Sequence, residues 1–128
     1  MNGSTLAFPQ PLDRRLGRAA VGLHVVGRRT VVRVDGEIDI ATAPMLAGAI
    51  DGALGGGAVE LWIDLTPTSF MDSSGVHVLL EGQARACELK RRLAVICPDR
   101  RIRRLFDVAG VSDRLPVYED RPAANRAS

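Results

Sequence analysis

Aromatic residues make up only 4% of this 128-residue chain, and lysine is all but absent. With so few rings to stack on bases, a formal net charge of only +2 and no recognition motif, direct nucleic-acid binding is not expected. Cysteine is scarce too. Cys87 and Cys97 fall in no metal-ligand or Cys-x-x-Cys spacing, and the first residues lack the basic-then-apolar pattern of a signal peptide. The two thiols are therefore expected to be reduced and buried, and the protein to be cytoplasmic. No apolar run approaches the roughly 20 residues that cross a bilayer, so membrane insertion is not expected either. The rest is ordinary: 46% hydrophobic and 25% charged, in a chain long enough for one domain with a real core.

Charge is unevenly placed. Arg85, Lys90, Arg91, Arg92, Arg100, Arg101, Arg103 and Arg104 face only Glu88 and Asp99 in the same stretch, while Asp35, Glu37 and Asp39 gather earlier. Solvated helix faces account for this most simply, although such segregation also orients an oppositely patterned partner.

Residues 1–19 mix Gly, Ser, Pro9, Pro11 and arginines without periodicity and are expected to be a flexible N-terminal arm. The β-branched runs Val21 to Val26 and Thr30 to Val34, split by Gly27-Arg28-Arg29, predict a hairpin. Thr42 is the expected N-cap of a helix carrying Met45, Leu46, Ala49, Ile50 and Leu54 at helical spacing and ending at Gly55-Gly56-Gly57. Val59 to Leu65 is a mostly buried strand with Trp62 interleaved, and Thr66 to Ser69 a loop. A helix from Ser74 places Val76, Leu79, Leu80, Ala84 and Cys87 on one stripe. Leu93 to Cys97 is a strand stopped by Pro98. Arg100 to Ala109 is a helix with Ile102, Leu105, Phe106 and Ala109 inward, closed by Gly110. Leu115 to Tyr118 is a last strand, and the tail over 121–128 makes a weak helical turn or nothing. Alternating strands and helices need crossovers, so the fold class is α/β over residues 20–120: a mixed, mostly parallel sheet with an antiparallel edge hairpin and flanking helices.

Several chemistries are excluded by geometry. The triple glycine follows a helix and precedes a strand, the reverse of a phosphate-cradling loop. Ser73 and His77 share a helix face, but no third group orients the histidine and no Gly-x-Ser-x-Gly elbow is present. Asp72, His77 and Glu81 lack the further histidine or thiolate of a metal site. No enzyme activity, cofactor or metal is expected. Asp72-Ser73-Ser74-Gly75 remains, at the start of a helix whose unpaired N–H groups and dipole favour negative charge. Capping explains one hydroxyl and leaves the pair unexplained. A phosphoserine adds roughly −1.5 to −2 charge, which its own helix tolerates and an acidic partner surface does not.

At this motif the chain resembles the STAS domain, specifically the bacterial anti-sigma factor antagonists. Phe70-Met71-Asp72-Ser73-Ser74-Gly75-Val76 is similar to the family's phosphorylation loop. Gly36-Glu37-Ile38-Asp39, followed by Thr42-Ala43-Pro44, is similar to its Gly-Glu-Leu-Asp stretch. The resemblance implies a stress-response partner switch. The unphosphorylated protein binds an anti-sigma factor, itself a serine kinase of the histidine-kinase-like ATPase fold, and a sigma factor is released for transcription. Phosphorylation at Ser74, with Ser73 the second choice, breaks the complex, and a PP2C-type phosphatase resets it. Asp39, Asp72, Ser73, Gly75, Val76 and His77 are the implied partner-binding residues.

Three features depart from the family pattern. His77 replaces a small residue, the arm before Gly17 is long, and the tail from Arg121 is polar and short for a last amphipathic helix. A cytoplasmic STAS subunit of a transporter assembly, such as a lipid ABC system, is the alternative; it has no need of a phosphoacceptor. A thiol sensor acting through Cys87 or Cys97 is a third.

Overall fold

The computed structural model describes residues 14–16 and 19–127. Strands β1 (Arg14–Leu16), β2 (Ala19–Val26) and β3 (Arg29–Ile38) are followed by α1 (Ala43–Gly55), β4 (Glu60–Asp64), β5 (Thr68–Met71) and α2 (Ser73–Glu88). The chain continues with β6 (Arg92–Ile96), α3 (Arg100–Ala109), β7 (Val117–Tyr118) and α4 (Arg121–Ala127). The sheet runs β1-β2-β3-β4-β6-β7, with β5 also paired to β3. The two pairings of β2, with β1 and with β3, are antiparallel and all others parallel. This is the mixed sheet with an antiparallel edge hairpin that the sequence predicts. The expected arm differs in part: Arg14–Leu16 adds a strand at the edge of the sheet, and the other arm residues before Ala19 lie outside the described ones.

Alternation along the strands sorts side chains to two faces. Val32 and Val34, Leu61 and Ile63, and Leu93 and Val95 point to one face. There they meet Leu46 and Ile50 of α1, Leu79 of α2, and Ile102 and Phe106 of α3 in one apolar core. Val31, Trp62 and Ile96 point to the other face and meet only a small cluster completed by Ala124 of α4.

Two elements differ from expectation. The segment from Thr68 is strand rather than loop. It lies beside β3 beyond the point where β4 ends, with Ile38 opposite Met71. The Thr68 hydroxyl donates to the Val34 carbonyl at 2.7 Å, which lets a turn-forming residue sit 3% exposed in a sheet. At Gly36, with φ +96°, the register along β3 slips. A bulge there re-aims the strand end toward the helix starts, and glycine adopts the backbone without strain. The tail forms α4, because Ala124 has the Trp62 face to cover and Arg121 reaches Asp64 at 3.0 Å.

The stripe of α2 is also rotated. Gly75, Val76, Leu79, Gly82 and Ala86 are buried, whereas Ala84 and Cys87 are exposed. Leu80 is only half-buried. Close packing on α1 and β6 selects the glycine side: a Cβ on Gly82 would meet Ile50 Cγ2 at 3.1 Å and Leu93 Cδ1 at 3.4 Å. Of the two thiols expected to be buried, Cys97 is, and burial pushes it up to about 11, whereas Cys87 lies on the outer side of α2 and is exposed. Ala109 of α3 is exposed.

Candidate functional site

Two loops distant in sequence meet where β3 and β5 end side by side. Asp72 N–H donates to the Ile38 carbonyl at 3.1 Å, tying the start of α2 to the segment that leads into α1. Asp72 is the N-cap of α2, extended in backbone, and its Oδ1 accepts from Ser74 N–H at 2.9 Å. Gly75 permits this geometry: a Cβ there would lie 2.6 Å from Met71 Cγ. The Met71 side chain thus packs directly beneath the first turn of α2.

On the facing side, Asp39 rather than Thr42 holds the start of α1. Asp39 Oδ1 accepts from Ala41 N–H at 2.9 Å and Thr42 N–H at 3.1 Å. Thr42 occupies the expected N-cap position, but its side chain makes no cap bond. Pro44 supplies no N–H in the first turn, so the hydroxyl turns back. It donates to the Glu37 carbonyl at 2.9 Å and accepts from Asp39 N–H at 2.9 Å. The Gly36-to-Thr42 stretch is thereby a closed hydrogen-bonded turn, and Ile40 at its tip is 81% exposed.

Between α1 and α2 lies an open, shallow groove of about 680 Å³. Ile40, Pro44, Ala47 and Val78 give it an apolar lining, and Ser73, Ser74 and His77 form its polar edge. Ser73 is exposed and Ser74 half-buried. His77 is exposed and sits 3.3 Å from Glu81 through Nε2. That contact leaves the Ser73–His77 pairing unmade, and no cluster of three metal-ligating side chains occurs among the described residues.

The structure thus brings Asp39, Asp72, Ser73, Ser74 and His77 to one surface. Two residues expected to touch a partner lie inside it: Val76 is 4% exposed in the core, and Gly75 is buried on Met71. Their helical positions aim them at the sheet, so they shape the surface without forming it. The reading of the sequence did not place Ile40, Ala47 or Val78 at the site and named Pro44 only within the family-like motif. The available signal was an isoleucine outside any strand or helix period, one residue after an Asp that closes a turn.

This paired-loop surface on a mixed sheet is the architecture of a known domain class. The STAS domain family matches residues 20–124, and the chain belongs to that family. An anti-sigma-B factor antagonist of Staphylococcus epidermidis is 30% identical over 88 residues, 69% of this chain and 82% of that protein. The crystal structure of an anti-sigma factor antagonist from Mycobacterium paratuberculosis is 26% identical with a TM-score of 0.74, covering 85% of this chain and 92% of that one. SpoIIAA, the Bacillus anti-sigma factor antagonist, in its unphosphorylated form is 26% identical with a TM-score of 0.69, over 84% of this chain and 96% of that one. SpoIIAA has also been solved in a phosphorylated form.

Proposed function

We propose that this protein is an anti-sigma factor antagonist whose binding surface is the groove between the starts of α1 and α2. Its partner is an anti-sigma factor, a serine kinase of the histidine-kinase-like ATPase fold, and binding releases a sigma factor. Phosphorylation of Ser74 ends the complex, and a PP2C-type phosphatase restores it. The observation that carries this reading is the apolar groove of Ile40, Pro44, Ala47 and Val78 directly edged by Ser73 and Ser74.

A partner that buries Ile40 must also desolvate the serine edge. Neutral hydroxyls permit that at small cost, whereas a phosphate dianion does not. Ser74 lies in the first turn of α2, where the helix dipole tolerates the added charge. The fold is therefore expected to survive a modification that the interface cannot. Asp39 and Asp72 lie on the same surface and add their charge to that of the phosphate.

The test is calorimetric titration of the anti-sigma factor into three forms of the protein. Wild type and Ser74→Ala are expected to bind alike, and Ser74→Asp to lose at least about a hundredfold in affinity. Equal binding by Ser74→Asp would overturn the charge switch. Tandem mass spectrometry after incubation with the kinase and ATP locates the phosphate; finding it on Ser73 would move the switch by one residue.

A further inference from the structure

A second groove, of about 350 Å³, separates β5 from α3 and shares no lining residue with the first. Met71 and Ile102 form its floor at 6% and 4% exposure. Phe70 and Val108 flank it at 48% and 79% exposure, with Leu105 half-buried between the floor and the solvent. Exposed apolar side chains gathered around one concavity form the kind of contiguous patch that marks an interaction site.

The rim of this groove is basic. Three other arginines of this region are engaged elsewhere, and Arg92 and Arg100 do not line the groove. Arg85 pairs with Asp51 at 2.8 Å. Arg91 donates to the Leu54 and Ala58 carbonyls at 2.7 and 3.1 Å, closing the end of α1. Arg103 donates to the Cys97 and Pro98 carbonyls at 3.0 and 2.9 Å. Arg101 and Arg104 instead line the groove. Arg101 is forked onto Asp99 at 3.2 and 3.5 Å, with its own side chain 84% exposed, and Arg104 has no hydrogen bond or ion pair to another described residue.

We propose that this groove docks an acidic amphipathic helix of another protein. Its apolar stripe would cover Phe70, Leu105 and Val108, and its carboxylates would meet Arg104 and share Arg101 with Asp99. Apolar floor and guanidinium rim together match the helix-in-groove mode, and arginine suits a rim because its planar fork binds carboxylates bidentately. A second copy of this chain is the poorer occupant, since a two-fold contact would set the same arginines against each other. An anionic membrane is poorer too. The strongest apolar residues of α3, Ile102 and Phe106, are turned into the protein and cannot insert.

The test is an NMR titration of the isotopically labelled full chain with two synthetic helical peptides. Both carry leucine and phenylalanine at i, i+3, i+4 and i+7; one has glutamate on its flanks and the other lysine. The glutamate peptide is expected to shift the amides of Phe70, Leu105 and Val108, with affinity falling as salt is added. Arg104→Glu and Val108→Asp should each weaken it at least about tenfold. Both positions are exposed, and an unchanged melting temperature separates lost binding from lost fold. Ser74→Asp should bind the peptide like wild type, so this inference stands or falls apart from the phosphorylation switch. Equal binding of the lysine peptide, shifts confined to other residues, or no shifts at millimolar peptide would each overturn it. So would Val108-dependent binding to phosphatidylglycerol vesicles in place of the peptide, or concentration-dependent self-association through the same residues.

Discussion

The two faces of the sheet are stabilised by different physics. On the face carrying α1, α2 and α3, the buried residues are aliphatic apart from Met71, Cys97 and Phe106, and they form one continuous core. On the other face the apolar contact is an island of Val31, Trp62, Ile96 and Ala124, with Ala94 and Tyr118 at its margin. Charged groups surround that island. Arg29 lies 3.6 Å over the Trp62 ring and 3.2 Å from Glu60, while Arg121 of α4 reaches Asp64 at 3.0 Å. The candidate partner surface is built entirely on the first face. The geometry presented to a partner thus rests on area buried from water, while α4 is held by the small Ala124 contact and the ion pair of Arg121 with Asp64, which solvent conditions can alter.

The largest effect should come from opening the core. Leu79 is fully buried between α1 and the sheet, so Leu79→Ala is expected to cost about 3 kcal/mol in urea unfolding. Removing α4 should do less. Truncation after Asp120 uncovers one side of Trp62 and removes the Ala124 contact, at a cost of about 1–2 kcal/mol. Trp62 is the only tryptophan in the chain, so its fluorescence reports the outer face alone. The truncated protein is expected to fold, to show red-shifted tryptophan emission, and to bind the anti-sigma factor as the full chain does. Lost partner binding in a folded truncation would show that the faces are coupled and break the distinction drawn between them.

This asymmetry also governs how much the sequence discloses. Long runs with a clear period, such as Val59 to Leu65 with Trp62 turned outward, specify a strand and both of its faces at once. The serine pair stood out as a candidate site by its place at a helix start, where cap chemistry is local, whereas the Gly36-to-Asp39 stretch was legible only through its resemblance to the family's motif. The failures occur where tertiary contact overrides local preference. The contact stripe of α2 is made by Gly75 and Gly82, the residues that a search for bulky side chains passes over. Turn-like Thr68 and Ser69 form a strand because β3 offers an unpaired edge beyond the end of β4. In α4, polar composition hides a helix that buries only Ala124. Ile40 became visible as a surface feature only once the Asp39 turn had been seen to present it.

The finest distinction between the faces is their response to acid. Asp64 is the only buried carboxylate among the described residues, and it lies on the outer face. Burial opposes its ionisation, but hydrogen bonds from the Thr66 hydroxyl and amide and the Arg121 guanidinium outweigh burial. They hold the carboxyl below its ordinary value of 3.8. A carboxylate whose value is lowered by folding binds fewer protons in the native than in the unfolded state. The stability it adds is complete above the unfolded value and is lost as the pH falls through the folded one. Asp64→Asn should therefore be less stable than wild type near neutral pH, and the gap should close as the pH drops below about 3.8. Urea midpoints measured across that window check this. Repeating them in the α4 truncation should give a smaller gap at neutral pH, because Arg121 is gone while Thr66 remains. A gap of unchanged size would assign the lowered value to the Thr66 turn alone, leaving α4 held by the Ala124 contact and not by charge.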